Sequence, residues 1–186
     1  MPKCRTVFII GTVVLAVGAL LLVRNLQEHG LSARAKPSRL EAYLARKARS
    51  LATSSEVRGR KNPVEPTELA IAEARDHFAD HCAVCHANDG SGRSLFGRNM
   101  YPPVPDMRKA DTQNLSDGEL FSIIQNGIRF TGMPGFGGED EENWKLVLFI
   151  RHLPNLSPKE LELMREINNL ELQSEENEHR QSRESH

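Results

Sequence analysis

The chain has 186 residues, with 24 Lys and Arg against 25 Asp and Glu, for a net charge of −1. That length allows one modest domain with appendages. The near-neutral balance suggests no nucleic-acid partner. Charge is uneven locally: basic residues dominate from Arg24 to Lys61, and acidic ones from Glu160 to Glu178.

At the N-terminus, Lys3 and Arg5 precede an apolar run from Val7 to Val23 that carries no charged residue. The run approaches the ~20 residues a membrane helix needs. It ends at Arg24 and Asn25, and the nearest small-x-small triplet, Ala33-Arg34-Ala35, lies far behind it. Residues 1–25 therefore read as an uncleaved membrane anchor, with a removed signal peptide as the alternative. Basic residues flank both ends, so charge counting does not orient the segment.

Residues 26–63 read as a basic tether. Ser38 is a helix cap, and Leu40, Tyr43, Leu44 and Leu51 recur at helical spacing among Arg39, Arg46, Lys47 and Arg49. One reading is a basic amphipathic helix lying on anionic lipid or on an acidic partner. The other is a solvated spacer, since the apolar stripe is thin. Asn62-Pro63-Val64-Glu65-Pro66 then breaks any helix and opens the main domain, residues 64–156.

The domain reads as all-α with long loops. Thr67 caps a helix whose Ile71, Ala74, Phe78 and Cys82 share one face. Cys82-Ala83-Val84-Cys85-His86 follows, a C-x-x-C-H haem attachment signature. Two cysteines three apart lie on one side of a helical turn, where their thiols can add to two vinyl groups on one haem edge. His86, four after Cys82, returns to the same side and can offer a ring nitrogen to the iron. A zinc site would need two further ligands, and the remaining cysteine, Cys4, lies in the targeting segment. A thioredoxin-like pair would need a βαβ setting, and no such pattern surrounds Cys82.

Residues 87–115, with glycines and Pro102, Pro103 and Pro105, read as a loop long enough to demand a function. Wrapping a haem is sufficient. Arg93, Arg98 and Arg108 are candidates to neutralise haem propionates, against solvated arginines. Ser116 to Glu119 is a capping box opening a helix that Gly127 closes. Thr131-Gly132-Met133-Pro134-Gly135-Phe136 then places a thioether in a glycine- and proline-rich loop, and Met133 is the leading sixth ligand. Met100, Met107 and His152 are weaker rivals. Glu139 to Glu142 start a helix bearing Trp144, Val147, Leu148 and Arg151, which Pro154 ends. Residues 157–186 read as a last helix capped at Ser157, packing through Leu161, Met164 and Ile167, and a polar disordered tail beyond Leu172. Phe78, Phe121, Phe130, Phe136 and Trp144 are expected to pack around the cofactor or between helices.

Phe78, C-A-V-C-H, T-G-M-P-G-F and the Trp144 helix together resemble a class I monohaem cytochrome c, in particular the membrane-tethered bacterial c-type cytochromes of the cytochrome-oxidase subunit III-like group. The likeness spans about residues 64–156. One departure is Ala74, where the family often has glycine at the crossing of the first and last core helices. The resemblance implies one covalent haem c, with thioethers to Cys82 and Cys85 and axial ligands His86 and Met133. It implies a proline carbonyl supporting His86, with Pro102, Pro103 and Pro105 as candidates. It further implies export of Cys82, so that the haem domain faces the periplasm and Cys4 stays cytoplasmic and reduced. Such a protein is a non-enzymatic one-electron carrier on the bacterial inner membrane. Its partners are a quinol-oxidising complex or dehydrogenase and a terminal oxidase or reductase. The alternatives are a haem subunit of a dehydrogenase or oxidase complex, and a haem enzyme or sensor with a labile sixth ligand.

Overall fold

Side-chain caps set where the helices begin. The computed structural model of the protein describes residues 2–30 and 32–167. The expectations for the Cys4 side chain and for the tail beyond Leu172 fall outside what is described. The described residues are all-helical, without strands. They belong to two compact units, one up to Ala35 and one from Lys36 onward.

The first unit is helix α1, Pro2–His29. Its stretch Thr6–Glu28, 23 residues, is long and apolar enough to cross a membrane, with none of its apolar side chains buried. It is a candidate membrane anchor.

The second unit begins with α2 (Arg39–Ala52) and α3 (Ser55–Gly59), whose caps Ser38 and Ser54 accept the amides of Glu41 and Val57. Helix α4 (Glu68–His77) starts at Thr67, whose hydroxyl accepts the Ala70 amide at 3.1 Å. It runs into a π-helical turn, Phe78–Cys82, closed by the Ala83 amide on the Phe78 carbonyl, and then into the short α5, Ala83–His86. A wide turn of this kind shifts the register by one residue, which periodicity alone does not reveal.

The 87–115 segment is mostly loop, with a 3₁₀ turn at Gly97–Asn99 and one helical turn, α6, at Ala110–Gln113. Helix α7 (Asp117–Asn126) opens on the expected capping box and ends at Gly127, φ 66°. Helix α8 (Asp140–His152) carries three acidic residues in its first turn, where the macrodipole favours them. Pro154 sits in the 3₁₀ turn that ends it, and α9 (Pro158–Ile167) follows.

The core forms where α4, α7 and α8 meet around Phe78, Phe121, Trp144, Val147, Phe149 and Leu153. Phe121 and Trp144 stack with centroids 4.2 Å apart. Ala74 is buried within the cluster. Of the five aromatics expected around the cofactor or between helices, Phe78, Phe121 and Trp144 pack between helices, while Phe130 is 94% exposed and Phe136 44% exposed. Both lie beyond α7 in the glycine-rich loop, outside any helix face that could bury them. Helix α9 docks through Met164, which is fully buried, while Ile167 stays exposed.

Candidate functional site

The Cys82–His86 turn is held from behind. Ala79 and Ala83 bury their methyls in the core, so the turn has one fixed inner side. Ala87 then takes φ 60° and swings the chain back over the turn. The Gly92 amide donates to the His86 carbonyl at 2.8 Å. The Ser94 hydroxyl lies 2.7 Å from the Val84 carbonyl and 3.0 Å from that of Cys85, and accepts the Gly97 amide at 2.9 Å. Gly97 lies so close that a Cβ there would overlap the Cys85 carbonyl oxygen. Neither Ser94 nor Gly97 was legible as a site residue, because both act through backbone proximity.

Both thiols are free. Burial, with the neighbouring Cys85 adding to it, pushes the Cys82 thiol up to about 12, and burial also raises Cys85. Burial lowers His86 to about 4, so at neutral pH the imidazole keeps a lone pair for a metal. Its Nδ1 is buried with no hydrogen-bond partner, so none of Pro102, Pro103 or Pro105 supports it in this structure. Two free thiols three residues apart and a neutral, half-buried imidazole in one turn suit a covalently attached haem. Among the described residues, no group of three or more His, Cys, Asp or Glu is placed to hold a metal ion.

Arg108, a propionate candidate, is instead engaged by carboxylates. It grips Asp106 through Nε at 2.8 Å and Nη2 at 2.9 Å, and reaches Asp89 through Nη1 at 2.8 Å. The Arg108 hydrogen bond holds the Asp106 carboxyl below its usual range. With the Met107 amide on the Gly90 carbonyl at 2.8 Å, these contacts fix the far end of the loop beside His86.

The methionines separate. Met107 is buried in the core cluster. Met133 is half-buried in the 127–135 loop, its amide on Thr131 Oγ1 at 3.1 Å and its carbonyl taking the Ile128 amide at 3.1 Å. That loop doubles back on α7 so tightly that a Cβ on Gly127 would lie 2.6 Å from the Met133 carbonyl oxygen. Met100 packs on the same loop: its Sδ would be 2.8 Å from a Cβ on Gly132. His152 pairs with Glu160 at 2.8 Å, which occupies it structurally.

The sequence model of the family described as cytochrome c oxidase, cbb3-type, subunit III matches residues 69–150. The chain is also 36% identical over 55 residues to a protein named thiosulfate dehydrogenase from Stutzerimonas stutzeri (strain A1501). That match covers 28% of this chain and 18% of the relative, so the chain spans less than a fifth of that protein. The matched 69–150 segment contains the C-x-x-C-H turn, the Met133 loop and the α4–α8 pair. Residues 69–150 are thus a c-type cytochrome domain, and such a domain carries covalently bound haem c.

Proposed function

We propose that this chain is a one-electron carrier, anchored by α1 in the bacterial inner membrane with its cytochrome domain in the periplasm. The Cys82–His86 turn carries the reading. Cys82 and Cys85 would hold the haem through thioethers. His86 would offer the iron a ring nitrogen and Met133 a thioether sulfur. When bound, the haem iron supplies a one-electron change of oxidation state, and methionine ligation raises its potential.

The rest of the work falls to the protein. His86 stays neutral because burial disfavours its charged form. Ser94 and Gly97 pin the backbone of the attachment turn. The Thr131 and Ile128 contacts hold the backbone of Met133. With both ligand residues on pinned backbone, little rearrangement of the protein would accompany electron exchange. Partners of the stated class, a quinol-oxidising complex or dehydrogenase on one side and a terminal oxidase or reductase on the other, would dock near the Cys82–His86 turn.

The local identity to a thiosulfate dehydrogenase favours one second reading, in which the chain is the haem-bearing subunit of a dehydrogenase complex. Copurification of the membrane-bound holoprotein separates the two. The axial assignment is tested with Met133→Ala. The variant should lose the methionine–iron charge-transfer band, bind carbon monoxide readily and drop in potential, while Met107→Ala keeps all three. A Met133→Ala protein with unchanged spectrum and potential refutes the assignment.

A further inference from the structure

Helix α2 is attached to its unit by one side. Ala42 and Arg49, seven residues apart and so on one face, are its only half-buried residues. On that side the Glu41 carboxylate accepts the Tyr101 hydroxyl, and Arg46 approaches Asp111 at 3.7 Å. The opposite face is left bare. Leu40, Leu44 and Leu51 lie along it, 67%, 55% and 86% exposed. Tyr43 and Lys47 sit beside them, with the lysine Nζ 5.7 Å from the tyrosine ring.

We propose that this outward face of α2 is a membrane-interface surface that rests in the headgroup layer of an anionic bilayer. Three observations select lipid as the occupant. The face pairs leucines with a basic residue, Lys47, in the pattern of a helix that lies ~5–10 Å deep in the interface plane. The single acidic residue of the helix, Glu41, is turned to Tyr101, so the free face is cationic. The candidate membrane span ends at Glu28, and residues 29–38 can reach at most about 35 Å when fully extended. The helix cannot stray far from the bilayer in which α1 is embedded. The inference rests on the anchored reading of α1. It adds that the segment preceding the cytochrome domain rests on the membrane through α2 and is more than a solvated tether.

The test uses the full-length holoprotein with Cys4→Ser and an environment-sensitive fluorophore on Leu44→Cys. It is reconstituted in phosphatidylcholine vesicles with and without phosphatidylglycerol. A protein lacking Leu44→Cys controls for stray labelling, and a label on Ala45→Cys reports a neighbouring face. The Leu44 label should be quenched by a headgroup-borne lipid quencher and shielded from aqueous iodide. The effect should be stronger with phosphatidylglycerol and weaker at high salt, and the Ala45 label should stay in water. Lys47→Gln should cut surface partitioning by about fivefold, the factor equivalent to ~1 kcal/mol per basic residue near an anionic surface. A Leu44 label equally open to iodide in both vesicles overturns the inference while flotation of the chain with the vesicles upholds the anchor. Shielding that appears only when a soluble acidic redox protein is added also overturns it. A chain that does not float overturns the inference and the anchor together.

Discussion

Gly118→Ala tests whether the segment from α3 to Asn62 is a docked strap. Gly118 is the second residue of α7 and is buried. A methyl there would overlap the Val57 carbonyl oxygen and lie 2.9 Å from Arg60 Cβ. Just beyond, the Arg60 guanidinium lies 4.4 Å from the Phe121 ring and 5.2 Å from that of Trp144. Asn62 Nδ2 donates to the Trp144 carbonyl at 2.9 Å. In an isolated helix, replacing glycine by alanine stabilises by about 1 kcal/mol. Here the methyl meets backbone, which must lift. Lifting forfeits a cation–π contact of ~1 kcal/mol and a hydrogen bond of ~1 kcal/mol. The losses exceed the helix gain, so the variant should be less stable by about 1 kcal/mol. Denaturant unfolding of the holoprotein by circular dichroism measures the sign, and limited trypsin digestion should cut faster at Arg58 and Arg60. Adding Arg60→Ala to Gly118→Ala should cost little more, because that contact is already gone. A Gly118→Ala protein more stable than wild type, with unchanged digestion, refutes the docked strap.

Cys82→Ala with Cys85→Ala should leave no haem on the polypeptide after denaturing electrophoresis. It should also yield a largely unfolded chain, since a domain this small has a modest core of its own; native helicity with a cooperative melt would contradict this. Gly97→Ala should sharply lower the yield of covalently haem-bearing protein, whereas Gly59→Ala, with nothing within 4 Å of its added methyl, should not; equal yields sink the argument for a pinned turn. Burial opposes ionisation of Glu160, but the Ser157 hydroxyl and amide and the His152 imidazole outweigh it and hold the carboxyl below its usual range. A depressed carboxyl stabilises the fold above its unfolded pKa near 4.5 and loses that contribution as pH falls through the lowered value. Acid titration of stability should therefore fall less steeply in Glu160→Gln, and identical acid limbs would count against it.

Local chemistry was legible and long-range contact was not. Thr67, Ser116 and Ser157 announce their helices because a cap and its amide partner sit within three residues. Cys82, Cys85 and His86 are readable for the same reason, being one turn of chain. The π-helical turn at Phe78–Cys82 leaves no compositional mark. Phe149, fully buried, went unnamed because it lies on the other side of the helix from the stripe traced through Trp144 and Val147. The carboxylate partners of Arg108 were not readable, because Asp89 and Asp106 meet only when the loop folds back. The strap was invisible for the same cause: Arg60 and Trp144 are far apart in sequence, and nothing in either marks the other.

These distant contacts converge on one segment. The 87–109 loop is pinned to the attachment turn through Ser94 and Gly97, and to itself through Arg108 and Asp89. At Tyr101 it is pinned to α2 through Glu41. Met100, adjacent to Tyr101, lies against Gly132 of the Met133 loop. One stretch of chain therefore touches both proposed axial ligand regions and helix α2. A glycine- and proline-rich loop has no ladder or helix of its own to resist motion, so its rigidity comes from these few attachments. The tether thus forms part of the scaffold that holds the site, and changes in α2 bear on the loop through Tyr101.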